Sequence, residues 1–443
     1  MPTLDDLRPL TADLPPLVLL SSADNGGAGI VARRLLEGLI AAGADAKMIT
    51  LVKASNLPQI GELRDEDGKR LWSYLREEQE SLRQIYPSVS AGWFSTGRAW
   101  VNLADYDLVK NASLIHLHWI SGLVGFPQAR EFLADKPVVW TMHDMNPFTG
   151  GCHYAGACGK YRDGGCADCP QLRPPSRTAP PPPGDDLAAG GFQNKRLGYE
   201  NLHLHLVSIC GQMGELAAAS LLLRSFPQTV IPNMVDTAAF APSARADARR
   251  KFNLPPDRQI ILFGATTIYD PRKGLKLFIE AINLLAGIEV INLLAEPAEP
   301  AVVFFGDCGG EANRPGLYFL GRIDDPQALA ELYAAADVFV TPAIEEAFGN
   351  TTAEALACGT PVIAFPVGAA RDFIKNGENG YLANLADPVD LAVKIKIALA
   401  LPKDRYEKMR ENARATAVEN LSLPLVVERY LRLYRRMLNL PER

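Results

Sequence analysis

The stretch Val338–Phe365, VFVTPAIEEAFGNTTAEALACGTPVIAF, decides the fold prediction. β-Branched and apolar residues predict one strand at Val338–Thr341 and a second at Pro361–Phe365, with a loop and a short helix between them. In a parallel sheet, Glu346 and Glu354 then lie beyond the carboxyl ends of the strands. α/β sheets bind their ligands at that edge. Carboxylates there can accept hydrogen bonds from sugar hydroxyls.

A simpler interpretation of the same residues stays open. Thr351-x-x-Glu354 has the pattern of a capping box, in which the glutamate only satisfies the N-terminus of its own helix. Glu345 and Glu346 can likewise be a solvated pair in a loop.

Length and composition limit the classes of protein to which the chain can belong. The 443 residues are too many for one core and predict two domains. An apolar content of 48% and a charged content of 22% are typical of a soluble globular protein. The net charge of −6 gives no bulk attraction to nucleic acid. The start, MPTLDDLRPLTADLPP, lacks the pattern of a signal peptide, and no apolar window is long enough for a membrane span. We expect a cytoplasmic protein.

The N-terminal part begins with a predicted βαβ unit. Leu17–Ser21 and Lys47–Val52 are predicted strands, and apolar spacing predicts a helix from Ile30 to Ala42. The glycine-rich turn 25–29 can bring backbone N–H groups to a ligand. Gly27-x-Gly29-x-x-Ala32 also matches the dinucleotide fingerprint, but the end of the second strand carries Lys53 instead of an acidic residue. The NAD hypothesis is therefore disfavoured.

Two later predicted strands lead into histidines. Ser113–Trp119 contains His116 and His118, and Pro137–Thr141 is followed by His143 and Asp144. A lone histidine is usually structural. Two histidine-bearing strand ends at one edge of a parallel sheet indicate a ligand site.

A cysteine cluster follows in a glycine-rich loop. It contains Cys152, Cys158, Cys166 and Cys169, with His153 as a fifth candidate ligand. Cys166-x-x-Cys169 has the spacing of a zinc knuckle. Two interpretations stay open, namely a structural zinc site and four loop thiols that are close only in sequence. The proline-rich segment Arg173–Gly191 is predicted to be mobile.

The second domain is predicted to open with the strand Gln259–Gly264. Its loop delivers Arg272 and Lys273 to the start of a helix, where they and the helix N-terminus can bind a pyrophosphate. A pair of exposed basic residues is the alternative. A last amphipathic helix at Pro424–Leu440 is expected to pack on the first domain, with contact to a membrane surface as the alternative.

Several motifs together resemble one family. In this order and spacing they are similar to the retaining GT-B glycosyltransferases of the "group 1" E-x7-E class, and they cover most of the chain. They are Gly26-Gly27, His143 in T-x-H-D, Ile231-Pro232-Asn233-x-Val235-Asp236, Lys273-Gly274 and Glu346-x7-Glu354. The segment WTMHDMNPFTGGCHY with its following cysteines is similar to bacterial exopolysaccharide transferases of the colanic-acid type.

The resemblance implies a fold of two Rossmann-like, doubly wound parallel-sheet domains that face a cleft. Residues 1–235 would form the acceptor domain, with a mobile Cys- and Pro-rich loop at 151–195. Residues 236–422 would form the donor domain, and 423–443 a helix packing back on the first domain.

The implied activity is transfer of a sugar with retention of configuration, in polysaccharide biosynthesis. The donor would be a UDP- or GDP-linked sugar and the acceptor a glycan or a lipid-linked molecule. No cofactor is needed for catalysis, and no nucleic acid takes part. The protein would be cytoplasmic, with peripheral contact at the inner face of the membrane as a further expectation.

The resemblance also implies roles for residues. Glu346 would bind the donor sugar, Lys273 would neutralise the diphosphate, and His143 would lie near the reacting carbon; these three are the candidate catalytic residues. Glu354 would bind the ribose. The candidate substrate-binding residues are Gly26, Gly27, His118, Asp144, Arg272, Phe348, Gly349, Asn350, Thr351 and Glu354.

The sequence departs from the family pattern at two places. Ala265 stands where the family has an arginine that shares the diphosphate, so either Arg272 replaces it or phosphate binding is weaker. Ala369-Ala370 stand where a glycine is common. A nucleotide-sugar epimerase on the same fold, or a non-catalytic nucleotide- or glycan-binding partner, are the alternative functions. A P-loop hydrolase is excluded because the sequence lacks its motif.

Overall fold

The computed structural model describes residues 2–65, 67–86, 93–173, 185–287 and 299–442. The chain forms two compact units, the first from Met1–Met234 with Leu423–Arg443 and the second from Val235–Ser422. Each unit is built around one sheet in which all the paired strands are parallel. The prediction of two doubly wound parallel sheets is confirmed.

The first unit has a seven-stranded sheet in the order β3-β2-β1-β4-β5-β6-β7. The side chains of β1 and β4 are buried throughout, which is why both read as continuous apolar runs. The strands are β1 Leu17–Leu20, β2 Ala46–Thr50, β3 Ile60–Glu62, β4 Leu114–Leu117, β5 Pro137–Met142, β6 His203–Ser208 and β7 Gln228–Val230.

The helices of the first unit cover this sheet and end with a helix from the far end of the chain. They are α1 Arg8–Thr11, α2 Gly26–Ala41, α3 Trp72–Ile85, α4 Asp107–Lys110, α5 Arg130–Leu133, α6 Lys160–Asp163, α7 Leu187–Tyr199, α8 Gly211–Ala218 and α16 Leu423–Met437. Helix α16 packs on α2 at Gly38, where a Cβ atom would lie 2.5 Å from Val427 Cγ2. Tyr430, Leu431 and Tyr434 of α16 join the core.

The second unit has a six-stranded sheet in the order β10-β9-β8-β11-β12-β13. Its strands are β8 Ile260–Thr267, β9 Ala301–Asp307, β10 Leu317–Phe319, β11 Val338–Thr341, β12 Val362–Ala364 and β13 Gly380–Leu382. Its helices are α9 Arg245–Lys251, α10 Leu275–Gly287, α11 Pro326–Ala335, α12 Asn350–Ala357, α13 Ala369–Phe373, α14 Pro388–Leu399 and α15 Lys403–Leu421. In the part of the chain described, no helix combines the length and apolar character that crossing a lipid bilayer requires.

Two local predictions are wrong. Helix α2 begins at Gly26 and not at Ile30, so the glycines form its first turn instead of a loop before it. A Cβ atom at Gly29 would lie 2.5 Å from the Ala23 carbonyl oxygen, which explains why this turn needs glycine.

The segment predicted to be a mobile loop contains helix α7 from Leu187 onward. The Asp186 side chain accepts hydrogen bonds from the Ala188 and Ala189 N–H groups and so starts the helix. The rest of that segment, residues 174–184, lies outside the described residues.

Candidate functional site

In the second unit, two loops meet at the carboxyl ends of β8 and β11. The Ile344 N–H donates to the Arg272 carbonyl oxygen at 2.9 Å. Gly274 adopts a φ of 73°, and a Cβ atom there would lie 1.9 Å from the Pro342 carbonyl oxygen. Glycine is therefore required for the two loops to touch. This contact brings Lys273 of the first loop beside the second loop.

Lys273 and Glu346 form an ion pair across these loops. Their side chains are 26% and 14% exposed, so the pair is sheltered yet reachable from solvent. The structure thus brings together two of the three residues predicted to be catalytic. A carboxylate held by a lysine still has lone pairs that can accept from sugar hydroxyls.

Glu354 lies on α12 and is held by a residue that the sequence did not indicate. The buried Tyr333 hydroxyl, on α11, donates to Glu354 Oε2 at 3.2 Å. The capping-box alternative is wrong, because the N-cap is Gly349, at a φ of 87°, and the helix has already begun before Thr351. Glu354 thus has a tertiary partner, and Thr351 is not the N-cap of its helix.

The N-termini of α12 and α13 lie side by side at this edge. The carbonyl oxygen of the buried Phe348 accepts from the Ala369 N–H at 2.6 Å. Gly368 adopts a φ of 55°, and a Cβ atom there would lie 2.5 Å from the Phe348 carbonyl oxygen. The two backbones can approach closely because position 368 is a glycine. Gly368 directly precedes Ala369-Ala370, the pair that stands where the family commonly has a glycine. Helix N-termini carry partial positive charge and favour anions. Asn350 and Thr351 are the first two residues of α12.

Arg272, the second cation at this edge, pairs with a different carboxylate from Lys273. The Arg272 guanidinium donates to both Asp270 carboxylate oxygens, at 2.5 and 3.2 Å. Ala265 is buried inside β8. Lys273 and Arg272 thus face different carboxylates, and whether Arg272 replaces the arginine absent at Ala265 stays a hypothesis.

In the first unit, the predicted histidines form a buried cluster. His118 Nδ1 and His143 Nε2 are 2.9 Å apart, and the two rings are nearly parallel, with 21° between their planes and 5.2 Å between their centroids. His116 lies deeper in the sheet and hydrogen-bonds the Tyr434 hydroxyl at 2.6 Å and Thr141 Oγ1 at 2.8 Å. His116 therefore ties α16 to the sheet, whereas His143 stands at the carboxyl end of β5.

Burial controls the charge of this cluster. It lowers the pKa of His143 to about 4, although the Asp144 carboxylate acts in the opposite direction. Burial also lowers the pKa of His116 and His118 well below the ordinary value. For Asp144, burial raises the pKa, but the charge interaction and the 2.6 Å hydrogen bond with His153, together with the hydrogen bond from the Asn146 N–H, outweigh it and the pKa is lowered. At neutral pH His143 is therefore an uncharged hydrogen-bonding group.

We expect the protein to lose stability as the pH falls from 7 to 5. An unfolded histidine has a pKa near 6.5, so in this window the unfolded chain binds protons that native His143 does not. The free energy of unfolding must then decrease, by about 2 kcal/mol from His143 alone. Urea unfolding at several pH values measures this, and His143→Asn should show a shallower pH dependence. Equal stability at pH 7 and pH 5 would contradict it.

The glycine turn of the first unit is supported by a buried carboxylate. Gly26 has a φ of 68°, with nothing within 4 Å of the position that a Cβ atom would take, and Gly27 follows it in the first turn of α2. Asp24 accepts hydrogen bonds from the N–H groups of Ala54 and Ser55 at 2.6 and 2.9 Å, and from Ser55 Oγ at 2.6 Å. Asp24 thus joins the turn after β1 to the chain after β2, a role that the sequence did not reveal.

A groove of about 1040 Å³ also lies in the first unit, between α3 and the loop after β4. Tyr74 and Trp100 stack at 5.5 Å on its wall, and Glu77, Glu78 and Glu131 line it. Aromatic faces with nearby carboxylates suit a polyhydroxylated ligand. No chemistry was predicted for residues 60–105 from the sequence, so this feature was missed.

The structure does not support the zinc prediction. Cys152, Cys158, Cys166 and Cys169 line one cavity of about 10 Å³. Among the residues described, however, no three His, Cys, Asp or Glu side chains are placed to hold a metal ion. Burial raises the pKa of Cys152 to about 12 and that of Cys166 to about 11. Without a bound metal ion, both thiols are therefore neutral at pH 7. His153 hydrogen-bonds Asp144 and Ser95 instead.

Comparison with known proteins finds similarity to glycosyltransferases. Residues 244–416 match the family described as glycosyl transferases group 1. Over 448 aligned residues the chain is 27% identical to a D-inositol 3-phosphate glycosyltransferase of Thermomonospora curvata, an alignment covering 95% of this chain and 92% of that protein.

Two solved structures have the same fold. Sucrose-phosphate synthase from Thermosynechococcus elongatus superposes with a TM-score of 0.65 and 22% identity, covering 96% of this chain and 99% of that one. Anabaena HepE, solved with UDP and glucose, gives a TM-score of 0.63 and 16% identity over 94% and 98% of the two chains. The chain thus has the GT-B fold, and its match over residues 244–416 supports a glycosyltransferase of group 1.

Proposed function

We propose that this protein is a retaining glycosyltransferase that moves a sugar from a nucleotide-sugar donor to a glycan or lipid-linked acceptor in polysaccharide biosynthesis. The observation that carries the proposal is the Lys273–Glu346 pair beside the N-termini of α12 and α13, within the segment that matches the group 1 family. Complexes of HepE with UDP and with UDP-glucose support a nucleotide-sugar donor.

The donor would bind to the second unit through its diphosphate, its transferred sugar and its ribose. Its diphosphate is anionic and fits the two helix N-termini and the Lys273 ammonium group. Glu346 would accept hydrogen bonds from hydroxyls of the transferred sugar, and Glu354, held by Tyr333, from the ribose. No metal ion or cofactor enters this scheme.

The reaction depends mainly on stabilising the negative charge of the leaving diphosphate. It does not need a protein side chain as a dedicated base. The bond between the sugar carbon and the phosphate oxygen breaks through an oxocarbenium-like state, and its electron pair stays on the departing diphosphate. Fixed positive groups stabilise the charge where it develops. The acceptor hydroxyl attacks from the side that the leaving group vacates and gives its proton to the departing phosphate oxygen. The configuration at the sugar carbon is therefore retained.

The first unit would supply the acceptor side. An uncharged His143 can hydrogen-bond a sugar or acceptor oxygen without carrying a positive charge of its own. Gly26 and Gly27 leave the first turn of α2 without side chains, so a substrate can approach the backbone N–H groups. The groove lined by Tyr74 and Trp100 has the composition for a glycan chain.

The donor site is tested by thermal shift with UDP, GDP and UDP-glucose. A ligand at 100 times its Kd stabilises the native state by about 2.7 kcal/mol, so one nucleotide family should raise the Tm of the wild type. Glu354→Ala should abolish the shift. The control is Glu345→Ala, which removes the carboxylate next to Glu346 in the sequence and should leave the shift unchanged. A wild type that responds to no nucleotide would overturn the proposal in favour of a non-catalytic binding partner.

The alignment with a D-inositol 3-phosphate glycosyltransferase favours one other acceptor class, a small phosphorylated polyol. Mass spectrometry of products formed from the identified donor with inositol 3-phosphate, or with a glycan, separates the two. Isomerised donor in the absence of any acceptor would instead indicate an epimerase.

A further inference from the structure

We propose that His118 is a positioning residue that fixes the tautomer of His143. Through their shared hydrogen bond, His118 keeps the single ring proton of His143 on Nδ1. His143 then presents an N–H donor at the carboxyl end of β5.

The proposal starts from the 2.9 Å contact between His118 Nδ1 and His143 Nε2. Both rings are neutral at pH 7, so each carries one proton. In one arrangement His118 donates from Nδ1, and the His143 proton must then sit on Nδ1. In the other arrangement His143 donates from Nε2, and the His118 proton must then sit on Nε2.

The surroundings of His118 Nε2 separate these two arrangements. This atom is buried and has no hydrogen-bond partner among the described residues, and the whole residue is only 2% exposed. The second arrangement would place a proton there and leave a buried N–H without an acceptor. Buried orphan N–H groups are rarer than under-satisfied acceptors, because a buried donor left unpaired loses its hydrogen bond to water without replacement. The first arrangement is therefore favoured.

His118 is itself held in place. The His116 ring lies 4.2 Å from the His118 ring between centroids, and His116 is fixed at both nitrogens by Tyr434 and Thr141. The Nδ1 edge of His118 is held by its hydrogen bond with His143. A buried ring that packs against one neighbour and hydrogen-bonds another keeps its orientation, so the tautomer that it imposes is constant.

The consequence concerns the ligand that His143 can receive. His143 Nδ1 has no protein partner in the described part of the chain, and an N–H there would donate to an oxygen atom of a bound molecule. Under the proposed function, on which this role rests, the acceptor of that hydrogen bond is a hydroxyl or phosphate oxygen of the substrates. The opposite tautomer would offer only a lone pair.

The tautomers are read directly by nuclear magnetic resonance. The chain has six histidines, so ¹⁵N-histidine labelling gives a countable set of imidazole correlations. At pH 8, protonated and bare ring nitrogens resonate in well-separated regions of the ¹⁵N spectrum. In the wild type we expect His143 with its proton on Nδ1. In His118→Phe we expect a mixture of both tautomers, because nothing then selects between them.

Tyr434→Phe is the matched control. It removes a hydroxyl from His116 and should shift the His116 signals while leaving the His143 tautomer unchanged. A wild-type His143 protonated on Nε2 would overturn the proposal even if a variant fails to fold. A folded His118→Phe protein that keeps the pure Nδ1–H form would also overturn it. The measurement uses the protein without substrate, so it is independent of whether any nucleotide raises the Tm.

Discussion

Lys273→Met is expected to slow glycosyl transfer by about 10²–10³-fold, mainly in kcat. The lysine is the cation that pairs with Glu346 at the proposed donor site, and methionine keeps its length while removing the charge. Charge builds on the leaving diphosphate in the transition state, so the loss of a fixed positive group there is felt most strongly in the chemical step. Steady-state kinetics with the donor identified by thermal shift measure the effect.

The neighbouring Arg272→Met supplies the control. Its guanidinium is already engaged by Asp270, so we expect a loss of less than about tenfold. Lys273→Arg, which restores the charge, should recover part of the activity. If Arg272→Met is as damaging as Lys273→Met, Arg272 shares the diphosphate and replaces the arginine absent at Ala265. If Lys273→Met leaves kcat unchanged, the assignment of Lys273 is wrong.

Gly274→Ala is expected to destabilise the protein by about 2–5 kcal/mol. The positive φ at this position costs about 1–2 kcal/mol for alanine. The added methyl group would also lie 1.9 Å from the Pro342 carbonyl oxygen, and the backbone shift that relieves this overlap costs about 1–3 kcal/mol more. Urea unfolding measures the change. Because the shift separates the two loops, any variant that stays folded should bind nucleotide poorly.

Gly377→Ala isolates the conformational part of this effect. Gly377 has a φ of 79°, and its Cβ position has nothing within 4 Å. It should therefore cost only about 1–2 kcal/mol and leave nucleotide binding intact. Equal destabilisation by the two substitutions would show that the contact with Pro342 is not what requires glycine at position 274.

Strand positions were the most predictable part of the fold. The predicted strand Val338–Thr341 matches β11 residue for residue, and the predicted Pro137–Thr141 differs from β5 by one residue. Strands buried on both faces need uninterrupted apolar residues, and this requirement is local in sequence. Helix starts were less predictable, because they depend on single contacts and not on the spacing of apolar residues. Examples are the Asp186 cap of α7 and the close approach of Gly29 to the Ala23 carbonyl oxygen.

The sequence predicted which residues belong to the candidate site, but not which side chains they contact. Sequence motifs gave Lys273, Glu346 and Glu354, and their assigned roles stay predictions. The Lys273–Glu346 pair joins residues from two separate loops, and Tyr333 reaches Glu354 from a preceding helix. Such contacts depend on how strands are ordered in the sheet. The cysteine spacing misled for the same reason, since proximity in sequence did not produce a metal-binding geometry among the residues described.

The return of α16 to the first unit has a consequence for synthesis of the chain. Tyr430, Leu431 and Tyr434 belong to a core whose members outside α16 were all made before residue 235. Domains tend to fold as units while the chain emerges from the ribosome. The second unit can therefore fold as soon as residue 422 has emerged, whereas the first waits with an uncovered apolar face for the last helix. A nascent chain stalled before Leu423 would expose that face to chaperones and proteases, so the N-terminal unit, although made first, is finished last.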